Sequence, residues 1–506
     1  MIFRRTSPWI ADLSETAGAK GQKSVDISLP VGERATVGVY GTKSIGVEAP
    51  FSISPEVLVQ YMERGHADQR VMVPYWLAPA RWRPPPVGVL RDEKDFPPGG
   101  ERHYDQKGNP YAVRLWARAQ GAFPIRIICD RGKVLAVNLH VTPAVPAPDF
   151  AVGYYTAPGL WTYQNWRVKF EQLRDLRCNT FTVYSGEAGR EIPADETNTA
   201  ARNIAWQLDL AVEVGLIDGT QPVIVYARSP VDLDEAPQYG RHVDRWPELI
   251  GYGKDEASAN ASGEAEARGM VQMFHSGEHP YRSGAAMHDI AILKFGDGID
   301  IWICHVDNMS DLLKREARRQ GKALWAYCAR VRGTNAPLNR YLSGWWAYAN
   351  RPEGLLSWTH LDYMLRWDLT VPSAVHPDGT WTPMGYYEYC LDAPDGPLSS
   401  VGAEGRRDGV VDYMVLRDLE RALLSTKLDS DEDPARVALV EEALLWLQDN
   451  VDRVDVNFWP DDKKPFGDCK PGNPCHWDTV DMVLPPIRDF NALRRTALGY
   501  ARRLRG

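Results

Sequence analysis

Leu249-Ile250-Gly251-Tyr252-Gly253-Lys254-Asp255-Glu256 is an apolar run of strand length followed closely by two adjacent carboxylates. Carboxylates at the end of a buried strand are costly to desolvate and repel one another, so a fold that keeps them there needs a compensating use. The same dipeptide on a solvated loop or at a helix start would need none, since exposed acids are common and suit the helix N-terminal dipole. The surroundings of the run decide between these readings. It is the fourth of eight candidate strands, at residues 150–155, 180–184, 222–227, 249–253, 284–287, 299–305, 323–328 and 354–359. Helical patterns at 163–176, 199–214, 263–274 and 310–320 lie between them, while the connections after the third and fifth strands are poorly helical. Strand alternating with helix is the signature of an α/β fold with a parallel sheet, and eight such units predict a (β/α)8 TIM-type barrel. Chemistry in such barrels gathers where strands end, and Asp255 and Glu256 directly follow the fourth.

Upstream the pattern differs. Residues 1–148 alternate short β-rich runs (35–40, 71–76, 112–116 and 134–139) with Gly and Pro turns and almost no helical periodicity, which predicts an N-terminal antiparallel β-sandwich. Pro143-Ala144-Val145-Pro146-Ala147-Pro148 then forms a stiff linker that cannot join a sheet. The barrel is expected over 149–430, and the helical segments 403–425, 434–450 and 490–504 are expected to complete and brace it, with 431–506 a C-terminal helical extension.

Composition narrows the function. The 506 residues carry 58 Lys plus Arg against 67 Asp plus Glu, a formal charge of -9, so there is no basic footprint for nucleic acid and little attraction to an anionic membrane. Trp outnumbers Phe, 18 to 12, and flat rings with a polar edge suit the faces and hydroxyls of sugars as well as they suit cores. Of seven cysteines, Cys129, Cys178, Cys304, Cys328 and Cys390 read as buried free thiols, whereas Cys469 and Cys475 flank a polar loop that leaves open either a small disulfide or two reduced thiols. No metal-ligand spacing and no cofactor fingerprint is found, so neither metal nor cofactor is expected. The first residues do not read as a secretory signal, and no apolar run reaches the 18 or so residues of a spanning helix. A soluble chain is expected, cytoplasmic or secreted with its leader removed; nothing in the sequence speaks to an oligomer.

Beyond the eighth strand, Glu404-Gly405-Arg406-Arg407-Asp408-Gly409-Val410-Val411-Asp412-Tyr413 resembles the Glu-x-x-Arg-Asp-Gly-x-x-Asp-Tyr segment of barrels related to glycoside hydrolase family 123, the β-N-acetylgalactosaminidases. Tyr252-Gly253-Lys254-Asp255-Glu256, Leu324-Trp325-Ala326-Tyr327-Cys328, Arg340-Tyr341-Leu342-Ser343-Gly344-Trp345-Trp346 and Gly354-Leu355-Leu356-Ser357-Trp358 fall in the same order. The resemblance implies a glycan substrate and places the acid at Glu256. Ala257 stands where the family usually carries proline, which leaves the identity of the hexosamine open.

The chemistry follows from the carboxylates themselves. Glycoside hydrolysis needs an acid for the departing oxygen and a group that stabilises positive charge at the anomeric carbon. Two consecutive residues do not straddle the bond well, so the pair fits substrate assistance, in which the sugar's 2-acetamido oxygen attacks and forms an oxazoline. Asp255 would orient that group and Glu256 would act as acid and then base. Tyr327 is assigned to bond the acetamide oxygen and Trp358 to wall its methyl or stack on the ring. Tyr155, Tyr184, Arg228, His288, His305, Asp307, His360 and Asp362 are candidates for hydroxyl contacts. Core packing is expected of Trp345 or Trp346, and a structural charge network of Arg407, Asp408 and Asp412. Two alternatives remain: a two-carboxylate glycosidase pairing Glu256 with Asp307 or Asp362, and a carbohydrate-binding barrel without turnover.

Overall fold

Period-two burial dominates the first third of the chain. In the computed structural model, residues 7–15, 22–64, 72–79, 110–156, 163–185, 199–227, 229–252, 257, 260–276, 279–287, 289–328, 335–357, 374–375, 381–382, 390–391, 398–426, 433–455 and 485–506 are described. Nine strands come first: β1 (Trp9–Asp12), β2 (Ser24–Pro30), β3 (Arg34–Tyr40), β4 (Ile45–Glu48), β5 (Ile53–Arg64), β6 (Met72–Pro79), β7 (Tyr111–Ala117), β8 (Gly121–Cys129) and β9 (Val134–Thr142). They form a small sheet, β2-β9-β8-β4, facing a larger one that begins β1-β3-β7-β5-β6. The expected sandwich is present, antiparallel throughout except where β2 runs parallel to β9. Val37 and Val39 on β3, Val113 and Leu115 on β7, and Ile125, Ile127, Val137 and Leu139 on the opposite sheet fill the space between.

The other face of β3 and β7 is not solvated, so the polar half of the alternation is buried too. Arg34 and Thr36 on β3 and Arg114 on β7 converge on Glu404. Glu404 belongs to the long helix Val401–Ser425, which lies against this face and is capped by the Ser400 hydroxyl accepting the Ala403 N–H. Just before the helix, the strand Leu398–Ser400 pairs with β6, and Cys390–Leu391 pairs with it in turn.

The barrel strands are β10 (Ala151–Tyr154), β11 (Thr182–Tyr184), β12 (Val223–Tyr226), β13 (Leu249–Tyr252), β14 (Ser283–Ala286), β15 (Ile301–His305), β16 (Ala323–Cys328) and β17 (Gly354–Ser357). All eight fall where the sequence predicts them and pair in parallel in the order β10-β17-β16-β15-β14-β13-β12-β11. The edges β10 and β11 meet through substituted hydrogen bonds: the Asn179 and Thr180 N–H groups donate to Val152 O, the Val152 N–H to Asn179 Oδ1, and the Thr156 N–H to Thr182 Oγ1. Gly153 permits this seam, because a Cβ there would press into the Thr180 carbonyl. The connections after the third and fifth strands are, as expected, only short helices, Pro230–Glu235 and Asp289–Phe295.

The long helix Val401–Ser425 closes the barrel as well as backing the sandwich, and is buried nearly all round. Gly405 and Gly409 let the neighbouring helix Ala336–Tyr341 approach, since a Cβ at either would strike the Ala336 or Arg340 carbonyl. A π-turn, Leu342–Trp346, continues that neighbour and buries both Trp345 and Trp346 in the core. Arg340 on it is gripped by Asp412, and the C-terminal helix Phe490–Arg505 adds Arg494 to the same carboxylate.

Burial alone would raise the Glu404 pKa, but Arg114 and Arg34 beside it hold it down to about 2. A folded pKa below the ordinary carboxylate value makes its contribution to stability present above about pH 4.5 and lost as pH falls through about 2. Glu404→Gln takes the counter-charge from the buried Arg34 guanidinium and leaves the half-buried Arg114 with Glu56. It is expected to cost about 3–5 kcal/mol at pH 7, read by urea unfolding, with the gap to wild type narrowing as pH drops below 4.5.

Candidate functional site

Because side chains alternate along a strand, the residues two apart on each barrel strand stack in layers down the interior. Ile224, Ile250, Ile303, Trp325 and Leu356 form an apolar layer inside the barrel. One step nearer the C-terminal ends stand Tyr226 on β12, Tyr252 on β13, His305 on β15 and Tyr327 on β16, with Tyr155 just beyond β10. Tyr184 ends β11 in register with Tyr226. The result is an aromatic ring over an apolar floor, at the end of the barrel where strands deliver chemistry.

The ring is held by its own contacts. Tyr184 and Tyr226 stack at 4.3 Å with their planes 9° apart, and Tyr226 leans on Tyr252 at 4.2 Å. His305, paired in register with Tyr327, meets it edge to face at 5.2 Å, and Tyr155 closes on Tyr327 at 6.2 Å. Tyr252 Oη accepts the Ala286 N–H at 3.1 Å, tying β13 to β14. The Gln207 side chain donates to Tyr184 O at 3.2 Å, so the helix Thr199–Glu213 fixes the end of β11. Tyr155 and His305 are almost fully enclosed, at 2% and 6% exposure, whereas Tyr184, Tyr226 and Tyr327 are half-buried.

The structure thus brings four sequence-predicted residues, Tyr155, Tyr184, His305 and Tyr327, into one assembly. Asp307 lies in the turn Val306–Asn308 immediately after β15, its side chain outside the described set. Asp255, Glu256, Arg228, His288, Trp358, His360 and Asp362 lie outside the described residues, as do Cys469 and Cys475. Tyr226 and Tyr252 were not nominated from sequence. The signal for them was present: β11, β12 and β13 each end in tyrosine.

Two other features compete for attention and neither matches the ring. A cavity of about 330 Å³ opens at the opposite, N-terminal end of the barrel, lined by Trp325 and by ion pairs such as Arg282–Glu248 and Arg417–Asp149. Charges paired with one another at that end brace the fold. Ser283, His275 and Asp300 also cluster, but His275 Nε2 faces both Asp300 Oδ2 at 2.8 Å and Ser283 Oγ at 3.3 Å. A nucleophile relay needs the two ring nitrogens to face different partners, so this is a structural clasp. Among the described residues no group of three His, Cys, Asp or Glu is placed to hold a metal, and no helix is long and apolar enough to cross a membrane. Cys129, Cys178, Cys304, Cys328 and Cys390 are buried free thiols.

No family model and no curated protein matches this chain. Among solved structures, the fold is similar to that of a family 123 glycoside hydrolase from Clostridium perfringens, described for glycolipid glycan hydrolysis, with 10% identity, a TM-score of 0.59, and 98% of this chain and 99% of that one covered. A family 5 xyloglucanase from Bacteroides ovatus matches at 8% identity and a TM-score of 0.31 over 80% of this chain and 100% of that one. A family 2 β-galacturonidase from Eisenbergiella tayi matches at 12% identity and 0.34 over 74% and 69%. Only the first likeness carries weight, and it establishes the sandwich-plus-barrel fold.

Removing the Tyr252 hydroxyl strands the Ala286 N–H. Tyr252→Phe is expected to destabilise the protein by about 1–3 kcal/mol, measured by denaturant unfolding.

Proposed function

We propose that the chain is a retaining glycosidase that releases β-linked N-acetylhexosamine, N-acetylgalactosamine foremost, with the substrate's own acetamide as nucleophile. The observation that carries this reading is the aromatic ring over an apolar floor at the strand ends, with Asp255 and Glu256 only three and four residues past Tyr252 in the chain. Half-buried tyrosines present flat apolar faces to a sugar and hydroxyls to its polar edge. The fold likeness to a family 123 glycoside hydrolase over nearly the whole of both chains supports the same reading.

In this mechanism Glu256 donates a proton to the glycosidic oxygen while the acetamide oxygen attacks the anomeric carbon. The bond to the leaving group breaks, its electron pair goes to the protonated oxygen, and an oxazolinium ion forms. Asp255, as a carboxylate, accepts the acetamide N–H and offsets the developing positive charge. Its negative charge also favours the protonated form of neighbouring Glu256 until transfer occurs. Glu256, now a carboxylate, takes a proton from water, which opens the oxazolinium at the anomeric carbon. Two inversions restore the β configuration. Tyr327 and Trp358 are assigned to the acetamide oxygen and methyl, and Tyr155, Tyr184, Arg228, His305, Asp307, His360 and Asp362 to the hydroxyls.

Glu256→Gln is expected to abolish turnover of an unactivated β-glycoside while the protein stays folded; near wild-type turnover would remove the acid assignment. An aryl substrate with a good leaving group is the wrong probe, because it needs little protonation.

Asp255→Asn should lower kcat by roughly 100-fold or more, the scale of one preorganised electrostatic group. Rates on matched 2-acetamido and 2-hydroxy aryl β-glycosides separate the mechanisms. Equal rates, or a 2-fluoro sugar trapped on Asp307 or Asp362, would favour a conventional two-carboxylate route. No turnover on either would favour a binding barrel.

A further inference from the structure

Four carboxyl groups and two guanidiniums are packed together where the N-terminal sheet, the closing helix and the C-terminal helix meet. The carboxyls are Asp12 on β1, Glu15 just after it, and Asp408 and Asp412 on the helix Val401–Ser425. The cations are Arg340, on the helix Ala336–Tyr341, and Arg494, on Phe490–Arg505. Asp412 engages both, accepting from Arg340 at 2.7 Å and from Arg494 at 2.5 Å. Arg407 also approaches Asp408, at 3.5 Å, but bonds more closely to Glu33, at 2.5 Å, a carboxylate it shares with the partly exposed Arg177, and to the carbonyls of Arg34 and Asp175. With every carboxyl ionised, the cluster would hold four negative charges against the two positive charges of Arg340 and Arg494. An uncompensated buried charge is costly enough that proteins neutralise it by protonation.

Hydrogen counting identifies where a proton sits. Ser14 Oγ lies 2.7 Å from Asp12 Oδ1 and 2.7 Å from Asp408 Oδ2, and receives an N–H from Arg340 at 3.0 Å. Both contacts with carboxyl oxygens have the length of an O–H···O hydrogen bond, yet a hydroxyl brings one proton. The second proton must belong to a carboxyl. Asp12 already accepts the Ser14 N–H at 2.7 Å and the Asn491 side-chain N–H at 2.8 Å, which suits an anion. Among the described residues, the Asp408 carboxyl meets Ser14 at hydrogen-bond distance and Arg407 at 3.5 Å.

We propose that Asp408 is protonated in the folded protein and donates to Ser14, which donates to Asp12, and that loss of this proton as pH rises loosens the attachment of β1 and the C-terminal helix to the closing helix. Burial pushes the Asp408 carboxyl up to about 6, with Asp12 adding to the rise against the pull of Arg340, Arg494 and Arg407. Glu15, which accepts the Asn491 N–H at 2.6 Å, is raised to about 7, first by burial and then by Asp12. Folded values above the ordinary carboxylate range mean that the contribution is full below about pH 4 and is lost as pH climbs through 6 and 7. The expected sense is opposite to that of Glu404.

The test uses the full chain between pH 5 and 8. Infrared difference spectra of the folded wild type should show a buried protonated carboxyl at pH 5 that fades by pH 8, and hydrogen exchange in residues 9–15 and 490–494 should accelerate beyond the intrinsic chemical rate over the same range. Asp408→Asn, whose amide still donates to Ser14, should abolish the Asp408 component of the band and keep the two segments protected at pH 8, with a Tm at least equal to wild type there. Glu15→Gln measured alongside isolates that residue's share. A wild-type spectrum without a titrating carboxylic acid band, or a band and exchange profile unchanged in Asp408→Asn, overturns the proposal. Should Asp408→Asn fail to fold, the wild-type spectra and exchange decide alone: no fading band, or no pH-dependent acceleration, rejects it.

Discussion

The buried ion pairs of the helix Val401–Ser425 are what the remaining architecture depends on. Within nine positions this helix sends Glu404 to Arg34 and Arg114 of the sandwich, Arg406 to the barrel seam, Arg407 to Glu33 and Asp412 to Arg340 and Arg494. Arg406 donates to the Gly153 and Leu355 carbonyls and to the Ser357 hydroxyl while stacking on Tyr154 at 4.2 Å. Buried pairs of this kind are a modest source of net stability, since desolvation offsets most of the attraction, but removing one partner is severe. Their effect is to make one relative placement of sandwich, barrel and terminal helix far better than any other.

That placement reaches the site through the seam. β10 and β17 are neighbours whose carbonyls Arg406 ties together, and β10 meets β11 through Asn179 and the threonines rather than through a full ladder. Tyr155 and Tyr184 stand at the ends of these strands and therefore flank a joint that mixes two backbone bonds with side-chain ones. The tyrosines on β12 and β13 depend instead on regular pairing. The ring thus combines a rigid arc with one whose geometry is set by the closing helix.

The motif that carried the family resemblance does structural work. Glu404, Gly405, Arg407, Asp408, Gly409 and Asp412 all face packing partners rather than the barrel mouth. A fold can therefore be recognised from such a motif while the residues that select a substrate vary independently at the strand ends.

All eight barrel strands were legible in the sequence because strand formation follows from apolar runs bounded by turn residues, and the barrel helices from period 3.6, to which the structure adds caps at Ser310 and Asn260. Five thiols read as buried are buried, and of Trp345 and Trp346, one of which is expected in the core, both are core. Tyr226 and Tyr252 escaped, although each ends its strand, because a terminal tyrosine says nothing by itself about which face it takes or what stands beside it. Glu404 meets Arg34 across 370 residues of chain, and the proton between Ser14 and Asp408 spans 394. Local sequence determined which segments became strands and helices, since that is decided by neighbours along the chain. Which charges were buried together, and hence which carboxyl kept its proton, was decided only by tertiary packing, because desolvation and Coulomb attraction depend on distance in space.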